Sequence, residues 1–173
     1  MPTTTGEYTV GFLATQFSLT GAIQVSRIVV DMSGNGDQTQ FTLWLTNAIG
    51  PGTTQANVLL QSSLTFPAGW GVGVAAPANV FLSAGVYYIV LSSSQTVGTS
   101  GWVLASSVLS SSVGNITAQL FYTNGNNGTV VDSALPPAST FLAMPTNVGF
   151  PGAPPGAFPG LGPAFQIVGT VAH

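Results

Sequence analysis

Glycine and proline fall so densely along this chain, 22 and 12 in 173 residues, that most windows are broken before a helix gathers several turns. Runs of Ala, Leu, Glu and Lys are few, and no capping box leads into a stripe of helical period. Strand patterns fill the intervals instead. Gln16 to Thr20 alternates apolar and polar residues, Ile23 to Asp31 is rich in β-branched side chains, and Gln38 to Thr46 puts Phe41, Leu43 and Leu45 on one face with Trp44 on the other. Ala56 to Ser62, Val80 to Leu82, Val86 to Ser92, Trp102 to Val108, Ile116 to Thr123 and Ala164 to Val171 are further candidates. Ser33 to Asp37, Gly50-Pro51-Gly52, Ser83-Ala84-Gly85 and Asn124 to Gly128 supply turn residues between them.

Roughly eight to ten short strands punctuated in this way predict an all-β fold, an antiparallel β-sandwich or jelly roll. The length suits a single domain, residues 1–173, large enough for a core without metal or disulfide. Residues 1–15 read as an extended N-terminal segment, residues 135–163 as a Pro/Gly-rich loop or arm, and residues 164–171 as the final strand. Val86 to Leu91 is apolar on both faces, so something is expected to cover its outer side, and a second subunit is one candidate.

Charge narrows the function classes. Charged residues make up 3% of the chain, against about 25% in an ordinary soluble domain. The only Lys/Arg side chain, Arg27, cannot neutralise a nucleic-acid backbone, so nucleic acid is not an expected partner. Mean hydropathy is high at +0.47, yet Ser, Thr, Asn, Gln or Gly interrupts every apolar run, and no transmembrane helix is expected. There is no cysteine, which excludes thiolate chemistry and disulfides. The near absence of titrating groups suits an exposed extracellular setting. No basic stretch leading into an apolar one opens the chain, so any export signal is expected to have been removed or to lie outside this sequence.

Thr15-Gln16-Phe17-Ser18-Leu19, Phe41-Thr42-Leu43-Trp44-Leu45, Leu82 to Leu91, Gly101-Trp102 and Ala164 to Thr170 together resemble the extracellular β-sandwich domains of bacterial PEP-CTERM surface proteins. The likeness lies in aromatic and glycine placement up to about residue 123 and in the last strand. It implies export and a cell-surface or matrix role, often without catalytic activity. The family's sorting motif, membrane segment and basic tail are not matched; the sequence reads Val171-Ala172-His173 there.

Catalytic constellations are sparse. The single histidine, His173, is the last residue, and Glu7, Asp31, Asp37 and Asp132 are the only carboxylate side chains. General acid–base work needs paired titratable groups, so no enzyme is expected. Asp31, Ser33, Asn35 and Asp37 place oxygen ligands at alternate positions beside Gly36, as at the start of a calcium loop. The residue that would close the loop is Thr42 rather than Glu, and a hairpin turn demands the same residue types. Arg27 is a candidate to pair with Asp31.

Trp44 and Trp70 are candidates for stacking on a sugar ring, with Trp44 set opposite the Phe41/Leu43/Leu45 face; aromatics in the core are the competing reading. Asn115-Ile-Thr117 and Asn127-Gly-Thr129 fit the glycosylation sequon. Phe150, Phe158 and Leu161 punctuate the uncharged Pro/Gly stretch and are candidates to dock on a neighbouring subunit. Native sheet edges are usually guarded by lysines and inward charges, and almost none exist here. The expectation is therefore a secreted structural protein that forms a homo-oligomer or polymer, a filament, sheath or surface matrix. The N-terminal Thr3 to Phe17 segment or the Pro/Gly arm is a candidate for exchange between copies. The alternative is a carbohydrate-binding or adhesive module with a polysaccharide partner.

Overall fold

A computed structural model describes residues 12–34, 40–65, 69–93, 100–102, 104–106, 113–115, 120–123, 135–143 and 161–172. The strands are β1 Leu13–Leu19, β2 Ile23–Gly34, β3 Gln40–Thr46, β4 Val58–Thr65, β5 Gly69–Leu82, β6 Gly85–Ser93, β7 Ser100–Trp102, β8 Leu104–Ser106, β9 Gly114–Asn115, β10 Leu120–Tyr122, β11 Leu142–Ala143, β12 Leu161–Pro163 and β13 Phe165–Val171. Helical structure among the described residues is confined to two short 3-10 turns, Gln55–Asn57 and Pro136–Ala138.

The strands form an all-β sandwich with antiparallel pairing. One sheet runs β11-β10-β1-β6-β3-β4, with β9 also on β1; the other runs β13-β2-β5, with β7 also on β2; β12 and β8 make a separate ribbon. Alternation explains the layering. Phe17 and Leu19 from β1, Phe41, Leu43 and Leu45 from β3, and Tyr87, Ile89 and Leu91 from β6 all face the same way. They meet Val25, Ile28, Val30 and Met32 of β2 and Phe165 of β13. That inter-sheet layer is the core.

The chain repeatedly crosses from one sheet to the other. β2 and β3 lie in different sheets, so the Asp31 to Asp37 stretch does not close the hairpin expected of it. Ser83 to Gly85 makes a second crossing, between β5 and β6. There the Tyr87 hydroxyl donates to the Ser83 carbonyl at 3.0 Å and its ring stacks on Phe17, centroids 5.6 Å apart. Tyr87→Phe keeps the stacking and loses that bond. Urea unfolding is expected to show a loss of about 0.5–1.5 kcal/mol, and an unchanged midpoint would contradict the bond's role.

The strand expected only at Val80 to Leu82 is longer, because β5 starts at Gly69 and pairs with β2 over most of its length. Its glycines, alanines and Pro77 suppress the strand signal in the sequence. A partner on one side only tolerates a proline that lacks an N–H. β2 itself carries an irregularity at Ser26: Val168 opposes Arg27 while Gly169 opposes Val25. The Ser26 hydroxyl donates to the Val168 carbonyl at 3.1 Å, using an acceptor beside the break in the ladder.

Candidate functional site

The outer side of the large sheet carries a second, smaller core. Phe12, Ala14, Trp44 and Val90 are buried there, with Ile49, Val58, Tyr88, Phe121, Leu135 and Phe141 packed around them. The cover comes from the same chain: the Gly50 N–H donates to the Pro137 carbonyl at 2.8 Å, and Pro136 and Pro137 are buried. Gly50 and Gly52 both sit at positive φ, 94° and 95°, a region glycine enters without steric cost. The expectation that another subunit covers β6 is thus corrected at Tyr88 and Val90. Val86, on the same strand, stays exposed.

Trp44 lies on the face opposite Phe41, Leu43 and Leu45, as its position in the alternation requires, but it is only 5% exposed. Its Nε1 donates to the Ser92 hydroxyl at 3.2 Å. A ring closed in this way offers no face to a sugar, so the stacking role expected of Trp44 is corrected to a packing role. The burial follows from residues about ninety positions further along the chain, which no local pattern reveals. Trp70 belongs to β5.

Of the calcium-loop candidates, Asp31 and Ser33 fall within β2, and Asn35 and Asp37 lie outside the described residues. The Asp31 carboxylate rests against the β5 backbone, with Oδ1 3.0 Å from where a Cβ on Gly73 would be. No group of three or more His, Cys, Asp or Glu among the described residues is placed to hold a metal. Arg27 is exposed and Asp31 half-buried, so a buried structural pair between them is not formed.

Leu161 sits in β12, opposite Ser106 of β8. Phe150 and Phe158 lie outside the described residues. Asn115 is in β9, opposite Ser18 of β1, while Asn127 lies outside the described residues. The described end of the Thr3 to Phe17 segment belongs to β1, where Leu13 to Phe17 pair with β6 and Leu13 to Thr15 also pair with β10.

Phe81, 59% exposed, and Val171, also open to solvent, escaped the sequence reading, and Val86 is exposed as well. Register places all three at one end of the sandwich, since Phe81 opposes Gln24, Val171 opposes Ile23 and Val86 opposes Ser18 near the end of β1. Alternation with the inward Leu82 marks Phe81 as outward-facing, which was the available signal.

The edges complete the surface. Among the described residues β4 pairs only with β3, and β5 and β13 pair only with β2. None of these three strands contains a charged residue. They differ in other protection. β5 carries Pro77 and register shifts, and β13 is irregular at Val168/Gly169. β4 opposes β3 without interruption from Leu60 to Thr65.

Among the described residues no helix is long and apolar enough to cross a membrane. Comparisons with models of known protein families, with curated proteins and with solved structures found no match to this chain.

Proposed function

We propose that the chain is a secreted, non-enzymatic structural protein that associates with copies of itself into a filament, sheath or surface matrix. The observation that carries this reading is that, among the described residues, the long strands paired on one side only, β4, β5 and β13, contain no charged residue. Exposed strand edges present unpaired N–H and C=O groups, and lysines on the edge are a usual means of keeping two such edges apart. With 3% charged residues, the rest of the exterior adds little repulsion. The scarcity of histidine and carboxylates supports the non-enzymatic part of the reading, because proton transfer at neutral pH needs such groups.

An interface of this chemistry has a characteristic salt response. Association driven by apolar contact and backbone pairing is expected to change little as sodium chloride rises from low to physiological concentration, since there is little charge to screen. Sulfate is expected to strengthen it. Light scattering over a salt series, with electron microscopy of the scattering species, checks both. Association that collapses on adding sodium chloride would count against the reading.

A further inference from the structure

The six residues of β4 that pair regularly with β3 contain a self-complementary run, Leu60-Gln61-Ser62-Ser63-Leu64. Leu60, Ser62 and Leu64 stand opposite Leu45, Leu43 and Phe41 of β3, which face the core, whereas Gln61 and Ser63 stand opposite Trp44 and Thr42. Leu64 is buried, Leu60 is only partly buried against the core, and Gln61 and Ser63 are exposed. We propose that the edge of β4 on which no described strand pairs joins antiparallel with β4 of a second copy, about a two-fold axis through Ser62, so that the large sheet continues through both molecules. The inference rests on the self-association proposed above and names the surface and register that begin it.

The register follows from matching faces. Antiparallel strands in one sheet keep core-facing residues beside core-facing residues only when the two-fold falls on a residue rather than between two. Centred on Ser62, Leu60 meets Leu64 of the second copy, joining two apolar side chains. Gln61 meets Ser63 of the second copy, joining an amide to a hydroxyl. Each match occurs twice by symmetry. Centred on Gln61, Leu60 would meet Ser62 and Leu59 would meet Ser63, setting apolar residues against hydroxyls. Other uncharged edges are poorer templates, since Pro77 withholds a donor in β5, the β13 ladder is broken between Val168 and Gly169 opposite the extra Ser26 of β2, and β11 is two residues long. Because a two-fold contact is closed, the species made by this edge is a dimer, and growth beyond it uses another surface.

Two double variants at the exposed positions read the register directly. In Gln61→Lys with Ser63→Lys, both cross-copy pairs become lysine against lysine, and dimerisation is expected to weaken at least about tenfold. In Gln61→Lys with Ser63→Glu, both pairs become lysine against glutamate, so the dimer is retained and acquires a sensitivity to sodium chloride that the wild type lacks. Sedimentation velocity gives the association constants, and circular dichroism with thermal melting confirms that each variant is folded. Ser62→Cys supplies an independent check. In a chain without cysteine it forms a disulfide-linked dimer on oxidation if the two copies of residue 62 face one another.

Loss of dimer in the first variant, its retention in the second and the disulfide cross-link in Ser62→Cys together support the pairing. If both double variants associate like the wild type, or both fail while folded, or no cross-link forms, the β4 register is overturned while self-association through another surface stands. If the wild type does not associate at all, both readings fall.

Discussion

Gly169→Ala is expected to destabilise the sandwich by about 1–3 kcal/mol, although it adds a single methyl group. A Cβ at Gly169 would lie 2.4 Å from the Gln24 carbonyl oxygen and 3.1 Å from the Val25 Cα, and both are backbone atoms of β2 that cannot rotate away. The methyl group fits only if β13 lifts from β2 at the point where Val168 and Gly169 already depart from regular register. Lifting it loosens Phe165, whose ring lies 6.1 Å from Phe17 in the main core. At this chain length each kcal/mol lowers the melting temperature by roughly 2–4 °C. Gly85→Ala is the matched control: the nearest atom there is the Tyr87 hydroxyl at 3.5 Å, an ordinary contact, so its effect is expected to be much smaller. Equal melting shifts for the two variants would refute the close-approach argument.

The largest effect is expected at Trp44. Truncation to alanine removes a nearly buried ring from the small core and leaves a cavity among Phe12, Ala14 and Val90. It also leaves the buried Ser92 hydroxyl without the indole N–H that it accepts. Buried Trp→Ala changes cost about 3–5 kcal/mol, a large part of the stability of about 5–15 kcal/mol typical of a domain. Trp44→Phe retains much of the apolar contact and forfeits the hydrogen bond, so a smaller loss of about 1 kcal/mol is expected. Chemical denaturation of the three proteins orders them wild type, Trp44→Phe, Trp44→Ala. A Trp44→Ala protein as stable as the wild type would mean that the outer core does not hold the strap at Leu135 to Phe141.

Local periodicity made the fold class legible. β1, β2, β3, β6 and β13 all fall within a few residues of the runs that alternate or concentrate β-branched side chains, because such runs suit a pleated surface buried on one or both faces. β5 was legible only at its end. Gly69 to Asn79 is a strand because β2 pairs with it, and tertiary pairing overrode a composition that locally resembles a loop. The turn residues around Ser33 to Asp37 marked the interval between β2 and β3 but not that these strands lie in different sheets.

The surface was less legible than the core. The same alternation that set Trp44 apart from the core-facing residues gave no sign that Ala48 to Thr53 and Leu135 to Phe141 fold over it, since that cover depends on contacts between distant segments. Strand order is equally non-local. The uncharged composition showed that edges would be unguarded, whereas only the topology shows which strands are edges and that β4 has neither proline nor irregularity from Leu60 to Thr65.

Sedimentation velocity of the wild-type protein over a wide dilution series tests most directly whether this exterior serves association. Species larger than the monomer, which grow with concentration and persist as sodium chloride is raised, are the predicted result. A single monomer boundary at every concentration would contradict it.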